Sequence, residues 1–170
     1  QFFGNYLANH DTDQYNLQRE VYRDSLLALL DPTSTRYQLH LAEGSLNKGD
    51  ANHAEHDLLK LLAIENEETP NYAMIAYLLG QTYRIQKKSE LERRYFAISA
   101  ITDMRIANKD NASLQNLAVL FYESGDINNA YKYSRSALED AIFCNVQFRT
   151  LRMSEFYNII DKAYQTKEAK

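Results

Sequence analysis

A bulky apolar residue followed by a small one recurs along this chain every 38 residues: Phe3-Gly4, Leu41-Ala42, Leu79-Gly80 and Leu117-Ala118. Pro32 and Pro70 keep the same interval, while Gly49-Asp50 and Gly125-Asp126 stand two intervals apart, as do Ala54 and Ala130. Landmarks of several kinds in one register mark a repeated unit. A unit of this length cannot bury its apolar face alone, so it must stack on its neighbours.

Each unit reads as two antiparallel helices. Thr69-Pro70 places proline at a first helical position, where its missing N–H costs nothing, and Asp31-Pro32 offers the same signal a few residues ahead of a helix. Gly49-Asp50 and Gly125-Asp126 end one helix and cap the next. In the middle unit Lys87-Lys88 replaces that pair, and Ser89 with Glu92 has the spacing of a capping box. The second helices carry one buried stripe, as in Ala54, Leu58, Leu61 and Leu62, or Ala130, Ala137 and Leu138. The expected helices are 2–9, 13–30, 35–48, 51–66, 70–87, 89–107, 111–124, 127–143 and 146–165. The last would cover the open end of the stack with Phe148, Leu151, Phe156, Ile159, Ile160 and Tyr164, before a polar tail from Gln165 that frays. Composition agrees. With 5 Gly, 2 Pro and only Val21, Val119 and Val146 as valines, the chain lacks the turns and β-branched residues of an all-β fold. The fold class is therefore all-α, an α-solenoid of antiparallel helix pairs with a C-terminal end helix. No linker interrupts it, so residues 1–170 read as one domain.

A net charge of −4 and a pI near 5.6 disfavour nucleic-acid binding through this region. Cys144 is the single cysteine, so an internal disulfide is excluded. Cys144 lies in an apolar helix end with no base placed beside it, which reads as a packed thiol. No apolar run approaches the ~20 residues of a membrane span. The chain opens at Gln1, inside an apolar stretch, and reads as a fragment of a longer protein.

Clusters of polar residues favour structural roles over chemistry. His53, His56 and Asp57 follow Asp50 at a helix start. Two histidines three apart can share a face, yet no third strong ligand stands at fixed spacing. His10-Asp11-Thr12-Asp13 falls in an inter-helix turn, where Asp and Thr cap, and Glu65, Glu67 and Glu68 read as a polar loop. Phosphate loops, cysteine pairs and nucleophile elbows are missing. The expectation is no catalytic residue, no cofactor and no metal.

The Leu-small pair with an aromatic residue three positions later (Leu79-Gly80 with Tyr83, Leu117-Ala118 with Phe121), followed by Gly125-Asp126 and Ala130, resembles the tetratricopeptide repeat. That repeat usually has about 34 residues, so each unit here is longer, in its second helix or in the turn between repeats. A narrower resemblance lies in Ile98 to Arg105, Asn111 to Leu114, Gly125 to Ile127, Ser136 to Ala141 and Ile159 to Tyr164. These segments look like a family of Bacteroidetes regulators similar to the starch-utilisation regulator. The resemblance implies a periplasmic sensor region, tethered to the inner membrane by a segment outside this chain. It also implies that any DNA-binding part lies elsewhere.

The first helix of each tetratricopeptide unit lines the concave face. Counted from the Leu-small pairs, the groove-facing set is Leu39, Glu43 and Leu46; Tyr77, Gln81 and Arg84; and Gln115, Val119 and Tyr122. Aromatics, amides and one cation suit a protein or peptide, or an oligosaccharide, because tyrosine stacks and hydrogen-bonds at once. The expected function is a non-enzymatic sensor and interaction domain of a membrane-anchored transcriptional regulator, with a possible homodimer through the end helix. The alternative is a glycan-binding helical-repeat lipoprotein of a nutrient-uptake system.

Overall fold

A computed structural model describes residues 11–109, 112–145 and 147–169, with the side chains of 11–17, 147–149 and 152 outside the description. The expected helix over 2–9, with its Phe3-Gly4 pair, lies outside the described residues, as do His10, Asp110 and Asn111. The described chain forms eight helices: α1 (Asp11–Leu27), α2 (Thr35–Asn47), α3 (Ala51–Ile64), α4 (Pro70–Ile85), α5 (Ser89–Arg105), α6 (Ala112–Glu123), α7 (Ile127–Phe143) and α8 (Gln147–Glu168). No strand occurs among these residues. Three pairs follow one another, α2 with α3, α4 with α5 and α6 with α7, and α8 packs on α7.

The turns inside the pairs carry the 38-residue register in the backbone itself. Gly49, Lys87 and Gly125 all have φ between +59° and +85°. Each donates its N–H to the carbonyl three residues back (Leu46, Arg84, Tyr122), and the next residue donates five back (Ser45, Tyr83, Phe121). This is a helix-ending motif with a left-handed residue. Asp50 and Asp126 then cap α3 and α7, accepting from the N–H of His53 at 3.1 Å and of Asn129 at 3.2 Å. Thr69 and Ser34 cap α4 and α2 in the same way, so α2 begins after the turn that holds Pro32.

Two expectations need correction here. Ser89 and Glu92 form no capping box. Lys88 occupies the N-cap without a side-chain bond, and the Glu92 carboxylate turns inward to Arg84. The last helix does not end at Gln165. Helix α8 runs on to Glu168, with Lys167 bonded to Asn128 at 2.9 Å.

The core is continuous along the stack but made of two clusters. One joins α2, α3 and α4 around Leu58, Ile75 and Leu79. The other joins α5 to α8 around Phe96, Leu114, Met153 and Ile160. Ala42, Gly80 and Ala118 are all buried. At Gly80 the approach is closest, since a Cβ there would stand 2.6 Å from Phe96 Cδ1. The bulky partners differ: Leu79 and Leu117 are buried, whereas Leu41 is 41% exposed. An aromatic pair repeats with the register. Tyr83 stacks on Tyr95 and Phe121 on Tyr133, both at 5.3 Å. On α8, Phe156 and Ile160 are buried and Tyr164 stacks on Tyr131 at 4.4 Å. This is the expected stripe, with Ile159 exposed beside it.

Candidate functional site

The nine residues expected on the groove separate by side-chain length. Leu39 and Leu46 are buried members of the first core cluster and do not line a groove. Their register equivalents Tyr77, Arg84, Gln115 and Tyr122 are half-buried. These positions sit at the edge of the buried face. A leucine there fits wholly inside, while longer side chains bury their stems and carry polar tips outward. Glu43, Gln81 and Val119 are half-buried as well.

On α4 the structure brings Tyr77, Gln81 and Arg84 into one row. The Gln81 amide donates to the Tyr77 hydroxyl at 3.0 Å, which leaves the phenolic proton pointing elsewhere. The Tyr77 ring tilts on Phe96 at 5.8 Å between centroids. Arg84 is anchored. Its Nε donates to Glu92 Oε1 at 2.6 Å, its Nη1 donates to Asn116 Oδ1 at 2.7 Å, and its guanidinium lies 5.0 Å above the Phe96 ring. The bond to Asn116 ties α4 to α6, the next first helix. On α6 the Tyr122 ring meets Phe156 edge-on at 6.1 Å. Glu43 is apart from this row, 3.4 Å from His40 Nδ1.

Arg84 therefore works as a strut rather than a free cation. Glu92 and Asn116, its partners, were missed in the sequence. A signal existed. Residues 46, 84 and 122 share one register position and 54, 92 and 130 another, giving Leu46–Ala54, Arg84–Glu92 and Tyr122–Ala130. An acid at a position that is otherwise a buried alanine needs a cation, and the cation stands at the matching place in the same unit.

A second polar group joins α3, α4 and α5. Glu55 accepts from Gln86 at 2.7 Å, and this bond leads the causes that hold its carboxyl below the ordinary range. Burial, then the bond to Glu55, pushes the Tyr83 phenol well up. At the end of the stack the Tyr157 hydroxyl donates to Tyr131 at 3.1 Å. That bond, then burial, raises Tyr157 to about 12.

His53 and His56 lie on the exposed side of α3 and share Asp57, at 3.3 and 3.2 Å. Among the described residues no group of three or more His, Cys, Asp or Glu side chains has the geometry to hold a metal ion. Cys144 is half-buried at the C-cap of α7. Cavities occur toward the start of the described stack. One of about 430 Å3 lies between α1 and α2, with Tyr22, His40 and Glu43 in its wall. Another of about 320 Å3 reaches α3. Among the described residues no helix is long and apolar enough to cross a membrane.

A family model described as the SusR N-terminal TPR domain covers residues 4–155. No curated protein and no solved structure matches the chain.

Proposed function

The chain belongs to the SusR N-terminal TPR domain family, and from that membership we propose that it is the non-enzymatic sensing and interaction region of a membrane-anchored transcriptional regulator. Tetratricopeptide domains are interaction modules, and a regulator-related interaction domain is the coarse assignment. The finer reading takes residues 1–170 as one domain on the periplasmic side, tethered to the inner membrane by a segment outside this chain. Its binding surface is the edge of the first helices α4 and α6, through Tyr77, Gln81, Gln115, Val119 and Tyr122. The ligand is a protein or peptide segment, or an oligosaccharide.

One observation carries this reading. The row of half-exposed aromatic and amide side chains stands on a floor that Arg84 holds rigid between two repeats. A preorganised polar surface loses little entropy on binding. Occupancy shifts the domain between states only by its differential affinity for them, and stack curvature or self-association is the property that differs. Isothermal titration of peptide and oligosaccharide panels tests the reading, with sedimentation in parallel. Binding weakened at least tenfold by Tyr77→Ala, without loss of thermal stability, is the expected result. Binding indifferent to Tyr77→Ala and Tyr122→Ala would sink the assignment of the face.

A further inference from the structure

The first full repeat departs from the others at the aromatic pair. The residues one register step before Tyr83 and Tyr95 are Ser45 and Asp57. Around them Leu91 gives way to His53, and Thr82 and Leu120 give way to Gly44. Two stacked rings fill the wedge in the second and third units. In the first unit the same place is the cavity of about 320 Å3 among α1, α2 and α3, walled by Gly44, Ser45, His53 and Asp57. Leu41 borders it too, which explains why this leucine is exposed where Leu79 and Leu117 are buried.

The charges around the cavity are unevenly satisfied. Arg23 is occupied: both Glu20 oxygens hold its guanidinium, which rests on Gly44 with Nη1 2.9 Å from the place of a Cβ. Lys48 also borders the cavity, and among the described residues no carboxylate lies within ion-pair distance of it. Asp57 has only the imidazoles of His53 and His56 as described partners. Among the described residues, one cavity thus offers an ammonium without an ion-pair partner, a carboxylate without a Lys or Arg partner, and apolar wall from Leu27 and Leu41.

We propose that this cavity binds a small zwitterion of the α-amino-acid or dipeptide class. The ligand carboxylate meets Lys48, its ammonium meets Asp57, and its side chain lies against Leu27 and Leu41. A zwitterion engages both charges at once, whereas a ligand of one charge engages only one of them. The site is separate from the first-helix face of α4 and α6, so either can fail without the other.

The test is calorimetry and thermal shift on the 170-residue protein with glycine, aspartate, lysine, leucine, phenylalanine and dialanine, against glucose and a neutral disaccharide. At least one zwitterion should bind and raise Tm. Lys48→Met and Asp57→Asn should each weaken it tenfold or more. Ser45→Tyr/Asp57→Tyr, which restores the ring pair of the later units, should abolish binding while Tm holds or rises. Lys48→Met changes only an exposed side chain, so it reads the site even where the filled variant folds poorly. The proposal is overturned by a panel in which no zwitterion binds, by binding of the neutral sugars alone, or by affinity that Lys48→Met leaves unchanged.

Discussion

Adding one methyl group at Gly80 should destabilise the domain, although alanine is the better helix former. Gly80 lies inside α4, where glycine ordinarily costs about 0.5–1 kcal/mol relative to alanine. Propensity alone therefore predicts a gain. The new Cβ would stand 2.6 Å from Phe96 Cδ1 and 2.7 Å from Cε1, about 1 Å inside ordinary carbon contact. The ring has no room to retreat. Phe96 is fully buried, with Tyr77 on it at 5.8 Å and the Arg84 guanidinium at 5.0 Å. Overpacking of this kind costs about 1–3 kcal/mol, so Gly80→Ala should lose about 1–2 kcal/mol net in urea unfolding. The register supplies a rescue. Ala42 and Leu58 occupy the places of Gly80 and Phe96 in the first unit, and both are buried. Gly80→Ala/Phe96→Leu should then lose less than the two single variants added together, with a coupling of about 1 kcal/mol or more. A Gly80→Ala variant more stable than the parent would refute the close-contact argument.

The left-handed turn residues give a pair of opposite effects. Lys87→Gly should stabilise by about 1 kcal/mol, because Lys87 carries a side chain at φ 59° where glycine is at ease; Gly49→Ala, at φ +85°, should destabilise by a similar ~1 kcal/mol in the same unfolding assay. Tyr157 titrates near 12 in the folded chain against an ordinary 10.0. A raised folded pKa means its contribution is complete below about pH 10 and disappears as pH climbs toward 12, so Tyr157→Phe should flatten the alkaline fall of Tm across that window. An equally steep fall in the variant would assign the effect to other groups.

Much of the fold was legible because its signals are local and repeat. The Leu-small pairs and Gly-Asp turns set the helix order, and described boundaries fall within a few residues of the expected ones. Lys87 was harder. No glycine marks its turn, and the left-handed conformation follows only from the same 38-residue step. The Ser89–Glu92 spacing suggested a local cap, but the inward ion pair with Arg84 competed for the same carboxylate and won. The groove set failed at Leu39 and Leu46 for a different reason. Counting places a Cα at the edge of a helix face, and whether its side chain ends inside or outside depends on length and polarity. The cavity in the first unit lay open to comparison across units, at positions 45, 83 and 121 and at 57, 95 and 133. It went unnoticed because an aromatic pair had to be recognised before its replacement carried meaning.

Interchange of equivalent pairs tests most directly whether positions 38 residues apart are structurally the same place. Arg84 and Glu92 hold the sites of Leu46 and Ala54. Arg84→Leu alone leaves the Glu92 carboxylate, 8% exposed, without its cation and should cost about 2–4 kcal/mol. Glu92→Ala alone frees an arginine that reaches water and should cost about 1 kcal/mol. Equilibrium unfolding of Arg84→Leu/Glu92→Ala should return to within about 1 kcal/mol of the parent, because the pair then repeats two residues that are buried in one core cluster in the first unit. A double variant whose loss equals the sum of the singles would show that the two sites are not equivalent, and the 38-residue register would not govern the packing.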